Sequence, residues 1–243
     1  VFMPHVAPTI KRLRYNVYDL EKRTFALLDP KKVLENARLC VIVGDLAPEE
    51  SPIQKAREAV KGGAEIIQLR CKTVGEAELL KIGRGIREIT AAEGALYIMN
   101  DHVDLALLTQ ADGVHLGQED MPVAQARKIL GSGRIIGKST HDMNEVDEAV
   151  SEGADYIGVG CVFESSTKPE IEIAGLDFAG AVANKIKNLP LFAIGGVNIE
   201  NVSQLIAHGV YRVAVSSAVT SAASPREAAA ALRENLGFPE DDS

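Results

Sequence analysis

From residue 38 onward, short β-rich apolar runs alternate with longer stretches of helical spacing, and the alternation repeats eight times. The strand-like runs are 38–43, 65–69, 95–99, 112–116, 134–137, 155–160, 191–194 and 212–216. Between them Ala77, Leu80, Ile82 and Ile86, or Val202, Leu205 and Ile206, recur at helical intervals. Repeated β–α units imply a parallel sheet, because each strand must return through a crossover. Eight units predict an α/β fold of the closed (β/α)8 TIM-barrel type, for which residues 37–243 are a suitable length. An open doubly wound sheet fits less well, since no GxGxxG follows the first run. Helix starts are legible at Ser51-Pro52, at Asp142 with Glu145, at Asn198 and at Ser224-Pro225.

Residues 1–36 precede this pattern. Ile10, Leu13, Val17 and Leu20 repeat at helical spacing and predict an N-terminal helical extension. It is expected either to cap the barrel bottom or to be the remnant of an N-terminal domain. The chain starts at Val1, as a processed or trimmed chain would, and its last five residues are expected to fray. A formal net charge of -8 argues against a nucleic-acid partner, so basic groups should act locally on small anions. No apolar run approaches the roughly 20 residues needed to span a bilayer, and the N-terminus lacks a secretory apolar stretch. Cys40, Cys71 and Cys161 form no CxxC pair and read as buried thiols in a reducing compartment. The expectation is a cytoplasmic protein acting on small molecules, with no membrane partner and a homo-oligomer possible.

The polar residues gather where the runs end, which in a barrel is the catalytic rim. After the second run comes Gln68-Leu69-Arg70-Cys71-Lys72; strand period puts Gln68 and Arg70 on one face, and Lys72 extends it. Two cations and an amide suit a diphosphate; a cationic surface turn balanced by Glu65 or Glu76 is the plainer reading. Asn100-Asp101 follows the third run, and His115 to Asp120 ends the fourth. Neighbouring strands lie about 4.8 Å apart, so Asp101 and Asp120 can converge on one hard cation such as Mg2+. A single aspartate there would read as a helix cap; two beside Arg70 and Lys72 favour the metal.

Ser139-Thr140-His141 follows the fifth run, where Ser139 can donate to phosphate or serve the turn. His115 and His141 are left without an acid or base role. The loop 161–169 offers Ser165, Ser166, Thr167 and Lys168, a set suited to phosphate or to a solvated connector. Gly195-Gly196 after the seventh run and Ser216-Ser217 after the eighth match the phosphate pocket common in this fold, although the glycines also suit a tight turn. One diphosphate site beside one monophosphate site would join two phosphorylated molecules.

Six segments in order resemble the thiamine-phosphate synthase family: Gln68 to Lys72, Asn100 to Ala106, Ala111 to Asp120, Gly137 to His141, Gly153 to Gly160 and Ala193 to Gly196. The resemblance covers roughly residues 38–235. It implies a Mg2+-dependent transferase that condenses 4-amino-2-methyl-5-(diphosphooxymethyl)pyrimidine with a thiazole phosphate, releasing pyrophosphate. By matching position, Gln68, Leu69, Arg70, Cys71, Lys72, Asn100, Ser139 and Lys168 would hold the pyrimidine diphosphate. Of these, Arg70, Lys72, Ser139 and Lys168 would serve the chemistry. Asp101 and Asp120 would bind Mg2+, and Ser165, Ser166, Thr167, Gly196, Ser216 and Ser217 the thiazole phosphate. Three departures stand out: Cys161 and Glu164 replace prolines, with Ser165 for a threonine; Ser216 replaces a common valine; and residues 1–36 exceed the minimal barrel. Rival expectations are a thiazole tautomerase-like isomerase, a non-catalytic phosphate-sensing barrel and a Schiff-base aldolase. The last wants a lysine in run 155–160, which has none.

Overall fold

The computed structural model describes residues 29–47, 50–164 and 173–237. The helix expected around Ile10 to Leu20 and the loop residues Ser165 to Lys168 lie outside the described residues. Eight strands close into a parallel barrel in chain order: β1 Leu39–Val43, β2 Ile66–Leu69, β3 Leu96–Asn100, β4 Gly113–Leu116, β5 Ile135–Thr140, β6 Tyr156–Val159, β7 Leu191–Ile194 and β8 Val213–Val215. β1 closes the ring on β8 through Leu39 with Val213 and Val41 with Val215. The fold is the (β/α)8 barrel that the eightfold alternation implies.

The described helices are α1 Pro30–Asn36, α2 Pro52–Lys61, α3 Glu76–Glu93, α4 Val103–Leu108, α5 Val123–Leu130, α6 Met143–Ser151, α7 Gly175–Lys185, α8 Val202–Ala207, α9 Ser217–Thr220 and α10 Pro225–Asn235. Ser51, Asp142 and Ser224 cap α2, α6 and α10 by accepting backbone N–H groups of the first turn. Asn198 does not cap α8. It accepts from Glu200 N–H in a turn, and Asn201 takes the cap position. β5 runs three residues beyond its apolar pattern, because Ser139 and Thr140 continue the pairing with Gly158 and Val159 of β6. The apolar pattern stopped at Gly137 because the next residues are polar, but a parallel ladder needs only backbone groups.

Strand alternation builds two apolar layers. Leu39, Val41, Val43, Ile67, Leu69, Tyr97 and Met99 pack outward under the helices. Cys40, Ile42, Ile66, Leu96, Ile98, Ile135, Tyr156 and Phe192 fill the interior, where Tyr156 meets Phe192 edge-on at 5.6 Å. Val33 and Leu34 of α1 join that interior cluster and stop the barrel floor. Lys31 ties α1 to Asp155 at 2.7 Å, and Arg212 donates to Glu35 O.

The floor also binds its own charges. Glu65, just before β2, accepts Arg38 N–H and Leu39 N–H and pairs with Arg233 at 2.7 Å. Asp112, just before β4, accepts Tyr97 N–H and pairs with Arg87 at 2.7 Å. Asp155, just before β6, accepts Ile136 N–H and pairs with Arg127. Acids there satisfy buried strand-start N–H groups that would otherwise cost free energy, and arginines neutralise the acids. The packed floor leaves the opposite end as the place for a site.

Candidate active site

Two hollows open at the C-terminal ends of the strands. A cleft of about 420 Å3 lies in the barrel mouth, lined among others by Gln68, Arg70, Asn100, His115, Ser139 and Ser216. A second hollow of about 430 Å3 lies beside it, lined by Lys72, Asp101, Asp120 and their apolar neighbours. Asn100 borders both, so the hollows share a wall.

The mouth is built from inward-facing strand ends. Gln68 Nε2 donates to Asn100 Oδ1 at 2.8 Å, which fixes two buried amides side by side. His115 bridges the interior, with Nδ1 2.9 Å from Tyr156 Oη and Nε2 2.9 Å from Ser139 Oγ. Burial pushes the Tyr156 hydroxyl well above its ordinary range, so it stays a neutral phenol. His115 thus buttresses Ser139, a role for which its strand-end position alone was no guide. His141 also reaches the cleft, but its Nδ1 sits 2.9 Å from Glu145 Oε2.

Leu69, by strand period, and Cys71 beyond the strand end point the other way, into the layer under the helices. Lys72 does not extend the face of Gln68 and Arg70 into the mouth. It lines the second hollow, where Nζ stands 3.5 Å from Asp101 Oδ2. The chain leaves β2 after Leu69, so its period no longer governs Lys72.

Asp101 adopts the left-handed conformation, φ +63°, while its N–H donates to His115 O at 2.8 Å. Pairing with the end of β4 holds it in that uncommon region. Asp120 Oδ2 accepts Gly117 N–H at 2.6 Å, and Gly117 O accepts Lys138 Nζ at 2.8 Å. Gln118 Nε2 donates to Ser139 O, stapling this loop to β5. The two carboxyls come within hydrogen-bonding reach of each other. Burial and the facing Asp120 push the Asp101 carboxyl up, whereas Asp120 is held down despite its own burial, by the hydrogen bond from Asp101 and by Gly117 N–H. Two facing carboxyls form a fitting all-oxygen donor pair for Mg2+. Among the described residues no group of three or more His, Cys, Asp or Glu side chains could hold a metal. A pair suits a cation that keeps water and phosphate oxygens as its other ligands.

On the far side of the mouth, Gly195 and Gly196 take φ +98° and +64°. A Cβ on Gly195 would fall 2.1 Å from Cys161 Sγ, and one on Gly196 2.2 Å from Glu164 O. The loop after β6 therefore lies directly on these glycines, held by Val162 N–H to Ile194 O and Phe163 N–H to Gly195 O. Ser216 donates its hydroxyl to Ile42 O, and Ser217 lines the cleft beside it. Glu164 borders the same cleft.

Asp45 was missed by sequence reasoning. It stands after β1, accepts Lys72 N–H and Thr73 N–H, and faces Arg70 at 3.9 Å. The one signal for it was a Gly44-Asp45 pair closing the first strand-like run.

A family model described as thiamine monophosphate synthase matches residues 39–219. Thiamine-phosphate synthases from Nostoc punctiforme and from a Nostoc species are each 40% identical over 225 residues, or 93% of this chain. The chain spans 63% of the length of those two relatives. A solved thiamine phosphate pyrophosphorylase from Pyrococcus furiosus superimposes with a TM-score of 0.76 at 37% identity, covering 88% of this chain and 99% of that one. 3-Hexulose-6-phosphate synthase shares the fold, with a TM-score of 0.59 at 19% identity.

Proposed function

The chain belongs to the thiamine monophosphate synthase family, and from that premise we propose that it condenses a pyrimidine diphosphate with a thiazole phosphate to give thiamine phosphate and pyrophosphate. The observation that carries the reading is the shared wall at Asn100, with Arg70 in the mouth cleft on one side and Asp101, Asp120 and Lys72 in the hollow on the other. A substrate with an organic ring and a diphosphate suits that division: a cleft in the barrel mouth for the ring and an acidic and basic hollow beside it for the phosphates.

In this reading the pyrimidine enters the mouth against Gln68, Asn100 and Ser139. Arg70 and Lys72 flank the diphosphate from the two hollows. Mg2+ held by Asp101 and Asp120 would supply positive charge to the phosphate oxygens. The bond between the methylene carbon and the diphosphate oxygen breaks with its electron pair leaving on oxygen, and Arg70 and Lys72 stabilise that charge. The electron-rich pyrimidine carries the methylene cation. The thiazole nitrogen then donates its lone pair to that carbon, held in line by its phosphate among Gly196, Ser216 and Ser217. Ser165, Ser166, Thr167 and Lys168 are assigned to the phosphates by family resemblance alone. No step calls for a protein nucleophile.

The test is to incubate the purified chain with both phosphorylated substrates and Mg2+, with and without excess EDTA. Thiamine phosphate should form only with free Mg2+. Its absence under all conditions in a folded, substrate-binding protein would sink the reading.

A further inference from the structure

Asp45 lies two residues past the end of β1, in the left-handed region at φ +48°. Its Oδ1 accepts three hydrogen bonds: Lys72 N–H at 2.7 Å, Thr73 N–H at 3.0 Å and Thr73 Oγ1 at 2.9 Å. Its Oδ2 stands 3.9 Å from Arg70 Nη1, and its N–H reaches Cys71 Sγ at 3.5 Å. Gly44 makes this approach possible, since a Cβ there would lie 2.1 Å from Arg70 O. These contacts all fall on one four-residue segment, Arg70 to Thr73. That segment sends Arg70 into the mouth cleft and Lys72 into the neighbouring hollow.

We propose that Asp45 is a positioning residue for the diphosphate, locking Arg70 to Thr73 so that the guanidinium and the ammonium face one anion from opposite walls before it binds. The proposal rests on reading the joined hollows as a diphosphate site. Three acceptor contacts through one oxygen leave the backbone of Lys72 and Thr73 little freedom, so less ordering remains to be done on binding. The 3.9 Å separation places Asp45 beside Arg70 without a close bidentate pair, and Arg70 still lines the cleft. Partial burial pushes the Asp45 carboxyl up, but hydrogen bonds from the Thr73 hydroxyl and from the Lys72 and Thr73 N–H groups outweigh it and hold the carboxyl below its usual range. The lock is therefore anionic at neutral pH. Asp45 does not touch the reacting atoms in this scheme; it acts through its neighbours.

The experiment compares Asp45→Ala, Asp45→Asn and Thr73→Val with the parent chain. Calorimetry measures binding of inorganic pyrophosphate in the presence of Mg2+, and steady-state assays give both KM values and kcat. Asp45→Ala should weaken pyrophosphate binding about 10-fold and raise the pyrimidine diphosphate KM to a similar extent. The thiazole phosphate KM should stay within about twofold. Asp45→Asn keeps a carbonyl acceptor for Lys72 and Thr73 but no charge toward Arg70, so its loss should be smaller, about threefold. Thr73→Val should fall between the parent and Asp45→Ala. Both KM values rising together, or a lowered Tm with pyrophosphate binding intact, would show a purely structural role and overturn the proposal. If Asp45→Ala does not fold, unchanged pyrophosphate binding in both milder variants overturns it equally. A parent chain that binds pyrophosphate yet makes no thiamine phosphate would defeat the proposed reaction and leave the Asp45 lock standing. A parent chain that binds no pyrophosphate defeats the lock.

Discussion

At the floor of the barrel, Glu65 and Asp112 each meet an arginine at 2.7 Å and each also accepts a buried strand-start N–H. At the mouth, Asp101 and Asp120 face each other, and Lys72 stands 3.5 Å from Asp101 with its side chain 60% exposed. Both ends are ringed by charge, but at the floor Glu65, Asp112 and Asp155 are each paired with an arginine inside the fold. The difference follows from what each end must do. A floor carboxylate is taken out of water permanently, so it needs its partner inside the fold. In the proposed function a mouth carboxylate exchanges water for ligand, so its unbalanced charge is left for the ligand to satisfy.

This contrast predicts that floor changes strike stability and mouth changes strike turnover. The largest effect is expected at Glu65, which is 1% exposed and serves Arg233 and two backbone N–H groups. Glu65→Ala should cost about 3–5 kcal/mol in urea unfolding, because it removes the carboxylate from a buried ion pair and from two buried backbone N–H groups. Turnover per folded molecule should remain within a few-fold, and a large loss of turnover at unchanged stability would break the contrast.

Next in size is the mouth pair. Asp101→Asn or Asp120→Asn should lower kcat by about 10^2-fold or more, since the leaving group loses its principal source of charge compensation. Melting should hold or rise slightly, because a like-charge contact is removed. Near-normal activity that resists EDTA would refute the metal assignment, and a sharp drop in Tm would erase the distinction between the two ends.

The smallest effect concerns pH, at the point where the mouth borrows the floor's strategy. The Asp45 carboxyl is held below its ordinary value of 3.8 by the hydrogen bonds that outweigh its burial. A depressed carboxyl contributes stability above its unfolded value and loses it as pH falls through the folded one. The stability advantage of the parent over Asp45→Asn should therefore be present at neutral pH and fade as the pH drops below 3.8. An advantage that instead grew on acidification would show that the hydrogen bonds to Lys72 and Thr73 do not stabilise the charged form.

The rim residues were legible because strand ends are. Gln68, Asn100 and Ser139 fall on inward positions that a period of two already specifies, and Asp101 and Asp120 follow adjacent strands. Lys72 lies beyond β2, where the period ends, so strand spacing gives no direction for its side chain. The role of His115 is not legible in sequence, since nothing near it announces Tyr156, 41 residues away.

The chain itself determined the eightfold alternation, the inward and outward layers, the caps of α2, α6 and α10, and the grouping of polar residues at one rim. These depend on local spacing, which backbone geometry translates directly into direction. Only the tertiary structure decided that Lys72 and Arg70 stand in different hollows, that Asp101 and Asp120 face each other in one of them, and that Val33 and Leu34 close the floor. Those outcomes require loops from different strands to meet, and no periodic pattern encodes a meeting between residues that are distant along the chain.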